Sequence, residues 1–320
     1  MLYKKSGSVE SNMNSNFNVN KYITCLILIL FVSFAWKESF SDSTLELLNF
    51  LKIFGHQAEI SISYLKKEIE KNPDNPNLKL VLGSLYLELF LEKESKLDVT
   101  LLNKAEEEFK EVIKLKNDES YAYFYLGNIA MLNKANKGKA IEFYKKAILY
   151  NKNSWGAYSL LNFVLVGEKR FDEIIKILED AKKEIKITED NRDKASSVFH
   201  NLALNYLMIS DYTNALINAT EATKLFPTKE HLHLLGICYF QKKDFQKAID
   251  EFKRGLELDP NDKNVLIGLA VALSEKGEYK EAIEYASKAN QLYPDDEEIK
   301  IKLEEYKKIL KTIQKDGVKK

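Results

Sequence analysis

Along most of this chain the apolar residues return at steps of three and four, the period of an amphipathic helix. In residues 263–296, Leu266, Leu269, Ala270 and Leu273 fall on one face of a first helix, and Ala282, Ala286 and Ala289 on one face of a second. Lys276-Gly277-Glu278-Tyr279 predicts the turn between them, and Pro294 ends the second helix because proline disfavours a helical conformation in the residue before it. The same offsets recur one period of 34 residues earlier. Residues 229–262 hold Leu232, Leu235-Gly236, Tyr239, Ala248, Phe252, Gly255 and Pro260. Residues 196–228 hold Phe199, Leu202-Ala203, Tyr206, Ala215, Ala219, Ala222 and Pro227.

Each offset has a physical reason. Glycine or alanine at positions 8 and 20 lets two helix backbones approach closely, and the large residues fill the space around them. Asp or Asn beside the closing proline, as in Asp259-Pro-Asn-Asp262, caps the next helix. A large residue at 4, Leu-Gly at 7–8, Tyr at 11, Ala at 20, an aromatic at 24, Ala at 27 and Pro at 32 together resemble the tetratricopeptide repeat. The resemblance implies an all-α fold, a right-handed superhelical solenoid of helix-turn-helix units.

Upstream the pattern loosens. Residues 120–154 keep Tyr123, Leu126-Gly127, Ala130, Ala140, Tyr144 and Ala147, with one residue inserted at Lys134–Lys139. Residues 155–188 keep Tyr158, Leu161, Leu165, Ile174, Leu178 and Ala181, but Asn162 stands where a small residue is expected. Residues 42–119 read as two degenerate units, with Leu82-Gly83, Tyr86, Ala105, Phe109 and Val112 in the second and about ten extra residues between its helices. Residues 297–314 form one more amphipathic helix with Ile299, Leu303, Tyr306 and Leu310 on one face, suited to cover the open end of the last repeat. About seven helix pairs and a cap are expected.

Ahead of the repeats, residues 1–21 form a polar tail, and Tyr22–Trp36 runs fifteen residues without a charge. As a helix this run spans ~22 Å, short of a ~30 Å hydrocarbon core; Lys21 and Lys37 can snorkel across the gap. Two readings stand: an uncleaved signal anchor in the cell membrane, or a signal peptide cleaved after Ala35 with an exported soluble body. In both, Lys4, Lys5 and Lys21 hold the N-terminus in the cytoplasm and the repeats face outside.

Composition narrows the function classes. The chain has 320 residues, 48 basic and 48 acidic side chains, and two cysteines. Balanced charge argues against nucleic acid as a partner. Cys25 and Cys238 cannot make a disulfide framework; Cys238 reads as a buried small residue. No phosphate-binding loop, His-Glu-x-x-His, Gly-x-Ser-x-Gly or Cys-x-x-Cys occurs. No enzyme, cofactor, metal or small-molecule substrate is expected. His200 and His233 share position 5 of neighbouring repeats, which sets them opposite one another across adjacent first helices.

In the resembled family, positions 2, 5, 9 and 12 of the first helices point into a concave groove. Carried over, these are Tyr121, Phe124, Asn128 and Met131 in the first of five repeats, and Phe163 in the second. His200, Leu204 and Leu207 follow, then His233, Ile237 and Phe240, then Ile267 and Val271. The stripe is unusually apolar, and contiguous apolar surface marks binding sites. The expectation is therefore a non-catalytic adaptor that holds a protein partner's helix or peptide in this groove. The alternative is a structural subunit of an envelope, secretion or pilus-type assembly, packing through its convex face and repeat ends.

Overall fold

The computed structural model describes residues 58–92, 99–132 and 136–317. The polar tail, the 22–36 run, Ala35, Cys25, the first half of the 42–75 unit and the 93–98 turn lie outside the described residues. The chain divides into two compact units, residues 1–118 and 119–320.

The described part of the first unit has three helices, α1 (Ala58–Lys71), α2 (Pro76–Glu92) and α3 (Val99–Leu115). Pro76 opens α2, where its missing N–H costs nothing. Leu65, Val81, Leu82, Tyr86, Ala105, Phe109 and Val112 make its core. Gly83 lets the Phe109 ring lie against the α2 backbone; a Cβ there would sit 2.9 Å from the ring.

The second unit stacks five helix pairs and a closing helix. The pairs are α4 (Ser120–Leu132) with α5 (Lys137–Tyr150), α6 (Trp155–Gly167) with α7 (Phe171–Glu184), α8 (Arg192–Met208) with α9 (Tyr212–Leu225), α10 (Lys229–Gln241) with α11 (Phe245–Leu258), and α12 (Lys263–Lys276) with α13 (Tyr279–Leu292). The closing helix is α14 (Glu297–Gly317). Each second helix packs on its own first helix and on the first helix of the next pair. Among the described residues there is no strand. None of their helices is long and apolar enough to cross a membrane.

One steric device repeats. At position 8, Gly127 and Gly236 face the buried rings of Tyr144 and Phe252, and an added Cβ would meet them at 2.5 and 2.6 Å. Phe252 also fills the space at Gly268 of the next repeat, 2.9 Å from a Cβ there. Between the other pairs, Ala203 and Ala219, Ala270 and Ala286, or Asn162 and Leu178, take these places.

The turns inside the pairs share a second device. Lys169, Ser210, Lys243 and Gly277 occupy the same repeat position with left-handed φ of 57°, 62°, 62° and 91°. The residue after each donates its N–H five residues back, to Leu165, Tyr206, Tyr239 and Leu273 carbonyls at 2.8–3.0 Å. This is the Schellman closure of a helix end. Two second helices, α9 and α11, then start on aspartate caps, Asp211 accepting from Asn214 N at 3.0 Å and Asp244 from Lys247 N at 3.3 Å. Lys229 bridges Asp259 and Asp262 at 2.6 and 2.9 Å, and one period later Lys263 bridges Asp296 at 3.0 Å. The seven residues 189–195 outside the repeat register form a short 3-10 turn and the first turn of α8, so that helix begins at Arg192. In α14, Ile299, Leu303 and Tyr306 are buried against α12, α13 and the residues around them.

Candidate partner-binding face

Consecutive first helices α6, α8, α10 and α12 lie side by side, so their outward positions form one continuous face. An Asn205 Nδ2 to Asn162 Oδ1 hydrogen bond of 2.7 Å fixes α8 against α6. Phe163 follows Asn162 and Leu204 precedes Asn205, so the bond sets these two apolar side chains beside one another. Both are exposed, Phe163 to 67% and Leu204 to 39%. Met208, one turn beyond Leu204, is 61% exposed. The centre of the apolar surface is therefore the junction of α6 and α8.

The other stripe residues lie deeper. Tyr121, Met131, Leu207, Ile237, Phe240, Ile267 and Val271 are half-buried. Ile237 and Phe240 pack against the α11–α13 core, Leu207 against the α8–α10 core, and Ile267 against the α14 end. Phe124 and Asn128 are 7% and 6% exposed. Phe124 rests on Tyr125 and Tyr144, with ring centroids 5.5 and 6.3 Å apart. Asn128 Oδ1 accepts from the Tyr144 hydroxyl at 2.9 Å. These two residues serve the inside of the α4–α5 pair more than its surface, because a large aromatic at position 24 reaches across to position 9.

The histidines correct the sequence expectation. His200 lies against His231, ring centroids 5.0 Å apart, and not against His233. His231 Nδ1 meets the Phe226 carbonyl at 2.5 Å, which fixes the proton on that nitrogen. His233 turns to Phe252, 5.7 Å away. Burial, reinforced by His231, pushes His200 down to about 4, and its Nδ1 has no hydrogen-bond partner. Burial lowers His233 as well. Both rings are neutral at pH 7, so they add no charge to the face. Among the described residues no group of three or more His, Cys, Asp or Glu side chains is arranged to hold a metal ion. Cys238 is fully buried and its thiol is pushed up to about 12, which keeps it protonated and unreactive.

Sequence reasoning missed Met208 and Asn205. Met208 sits at Leu204 + 4, so extending the stripe by one turn would have found it. The Asn162–Asn205 bond needed the helices' mutual register, which no single repeat encodes. A cleft of about 400 Å³ lies on the opposite side, between α5 and α7. Its floor includes Tyr158 and Ala181 and its walls carry Lys145, Lys176, Ile177 and Asp180. Lys145–Glu173 and Lys152–Glu184 pairs tie the two helices across it.

Two tetratricopeptide-repeat family profiles match this chain, over residues 200–263 and 239–304. Tetratricopeptide repeat protein 37 of Xenopus laevis is similar over 239 residues at 25% identity; these cover 74% of this chain and 14% of that much longer protein. Among solved structures, the C-terminal part of a TPR repeat-containing protein from Cytophaga hutchinsonii superposes with TM-score 0.58 at 18% identity, over 80% of this chain and 97% of that one. YrrB, described as a TPR protein with an unusual peptide-binding site, superposes with TM-score 0.50 at 21% identity, over 62% and 97%. The chain carries tetratricopeptide repeats, and its described residues have the all-helical solenoid fold of that family.

Proposed function

We propose that this protein is a non-catalytic scaffold that captures a protein partner on the face formed by α6, α8, α10 and α12. Tetratricopeptide-repeat proteins are in general protein-interaction scaffolds. The observation that carries the reading here is the exposed pair Phe163 and Leu204, continued by Met208, on helices joined by the Asn162–Asn205 bond. Apolar side chains this large and contiguous gain free energy when a partner covers them. The peptide site for which YrrB is described is compatible with this use of the fold. The uncharged run 22–36 favours a body held at the cell membrane, or exported, with the repeats outside the cytoplasm. Replacing Phe163 and Leu204 together by Glu is expected to abolish retention of the partner with helicity unchanged by circular dichroism. Undiminished retention refutes the reading.

A second reading, a structural subunit packing through its outer face and ends, is favoured by the α5–α7 cleft with exposed Leu149 beside it, and by exposed Ile301 and Ile313 on α14. It predicts that the Phe163/Leu204 variant is silent while removal of 297–314 breaks the assembly.

A further inference from the structure

Helix α14 changes character along its length. Its first half covers the last repeat, with Ile299, Leu303 and Tyr306 buried against it. There the lysines stand beside acids: Lys300 pairs with Glu297 at 2.6 Å, Lys302 with Glu298 at 3.8 Å and Lys307 with Glu304 at 2.7 Å. Beyond Glu305 the acids nearly stop. Residues 307–320 hold six lysines against one acid, Asp316, a net charge of +5 in a chain whose formal net charge is zero. Lys307, Lys308, Lys311 and Lys315 are all exposed, and Lys308 and Lys311 join no ion pair among the described residues.

The apolar stripe continues where the acids end. At about 100° per residue, Ile309, Leu310 and Ile313 extend the line of Ile299, Leu303 and Tyr306 within about a third of the helix circumference. Lys307, Lys308, Lys311 and Lys315 take the opposite part. Past Tyr306 the repeat no longer covers this line: Ile309 and Leu310 are half-buried and Ile313 is 51% exposed. The second half of α14 is therefore a basic amphipathic helix with its apolar edge uncovered. A run of carboxylates would neutralise the lysines and leave the methyl groups of Ile309, Leu310 and Ile313 in water. A bilayer surface with anionic headgroups meets both needs. The apolar edge enters the boundary of the acyl chains, and the lysine stems lie along it with their ammonium groups among the phosphates.

Going beyond the scaffold reading, and independently of it, we infer that residues 307–315 of α14 are an interfacial anchor that lays Ile309, Leu310 and Ile313 into a bilayer surface carrying anionic lipid. The segment lies on the membrane and does not cross it, since four of its nine residues are lysine. Charge draws the helix to the surface and the three aliphatic side chains hold it there, so attachment weakens as salt rises.

The test places an environment-sensitive fluorophore on the full-length chain at Ile313→Cys, in a Cys25→Ser background; Cys238 is buried and escapes labelling. A label at Leu149→Cys on α5, in the same background, is the control. The chain is mixed with vesicles of phosphatidylcholine alone or with about one third phosphatidylglycerol, and separately with soluble polyglutamate. The label at 313 is expected to shift to the blue and to be shielded from an aqueous quencher on the anionic vesicles only, while the label at 149 stays unchanged. Because the reporter is local, attachment through another part of the chain does not produce this signal. The shift should weaken severalfold between ~0.1 and ~0.5 M salt. Lys308→Gln/Lys311→Gln/Lys315→Gln should lower the partition of this segment about a hundred-fold, with helicity unchanged by circular dichroism. An equal shift on neutral vesicles, a shift that the triple variant keeps, or no shift on any vesicle overturns the inference. A shift with polyglutamate as large as with lipid also overturns it and assigns this surface to an acidic protein. Capture at Phe163 and Leu204 stands or falls separately, by the Glu variant described above.

Discussion

Replacing Gly127 by Ala tests the steric lock that builds the repeats. A Cβ at this position would lie 2.5 Å from Tyr144 Cε1 and 2.7 Å from Cδ1. Ordinary carbon contacts need about 3.5–4 Å, so the ring must move by roughly 1 Å. Tyr144 is fully buried and has no solvent to swing into. Its hydroxyl donates to Asn128 Oδ1 at 2.9 Å, and Asn128 Nδ2 already lacks a partner, so a displaced ring leaves that amide with nothing. Overpacking of this kind costs about 1–3 kcal/mol, and a buried amide stripped of its hydrogen bond about 1–3 kcal/mol more. Alanine returns about 1 kcal/mol through helix propensity. The net loss centres on about 3 kcal/mol. Gly138→Ala is the control, since nothing lies within 4 Å of a Cβ there, and it should be neutral or stabilising by up to about 1 kcal/mol. Urea denaturation followed by circular dichroism gives the stability. Amide exchange in α4 and α5 locates the loss, because neighbouring repeats can open separately. Equal stability of the two variants would refute the lock.

Other outcomes follow from the same structure. His200 falls from 6.5 to about 4 on folding; a depressed base opposes its own protonation in the folded state. Its contribution is fully present above pH 6.5 and is lost as pH drops toward 4, about 3 kcal/mol at 1.36 kcal/mol per unit. Denaturation midpoints measured between pH 4 and 7 should therefore slope downward on acidification, and His200→Asn should remove the part of that slope that His200 carries, leaving the parts due to His233 and to the paired carboxylates. Lys243→Gly relieves a left-handed backbone of φ 62° that Gly277 adopts freely one repeat later, and should stabilise by about 0.5–1 kcal/mol; a destabilised Lys243→Gly protein would mean that the lysine side chain matters more than the turn.

Much of this was legible in the chain because the repeat writes the same constraint several times. A glycine at position 8 and an aromatic at position 24 imply close helices in any copy, and Gly127–Tyr144 and Gly236–Phe252 obey that rule. The turns were harder. Only Gly277 announces a left-handed residue, whereas Lys169, Ser210 and Lys243 are driven into the same geometry by the closure of the preceding helix. Side-chain direction within a helix was harder still. His231, His233 and His200 could be paired in more than one way, and helix rotation against α8 chose His231. Asn128 read as an open polar residue because the Tyr144 hydroxyl that claims it comes from the other helix of the pair, 16 residues on.

Whether the α6–α8 junction is where a partner sits can be measured by site-specific photocrosslinking. A benzophenone side chain is placed at residue 163, or at residue 149 on the opposite side, in the chain expressed in its own cells. Both positions are more than half exposed, 67% and 62%, so labelling tolerance should be alike. Adducts with another protein formed through residue 163, mapped by mass spectrometry and absent at 149, are the expected result. Adducts through residue 149 with none through 163 would contradict it.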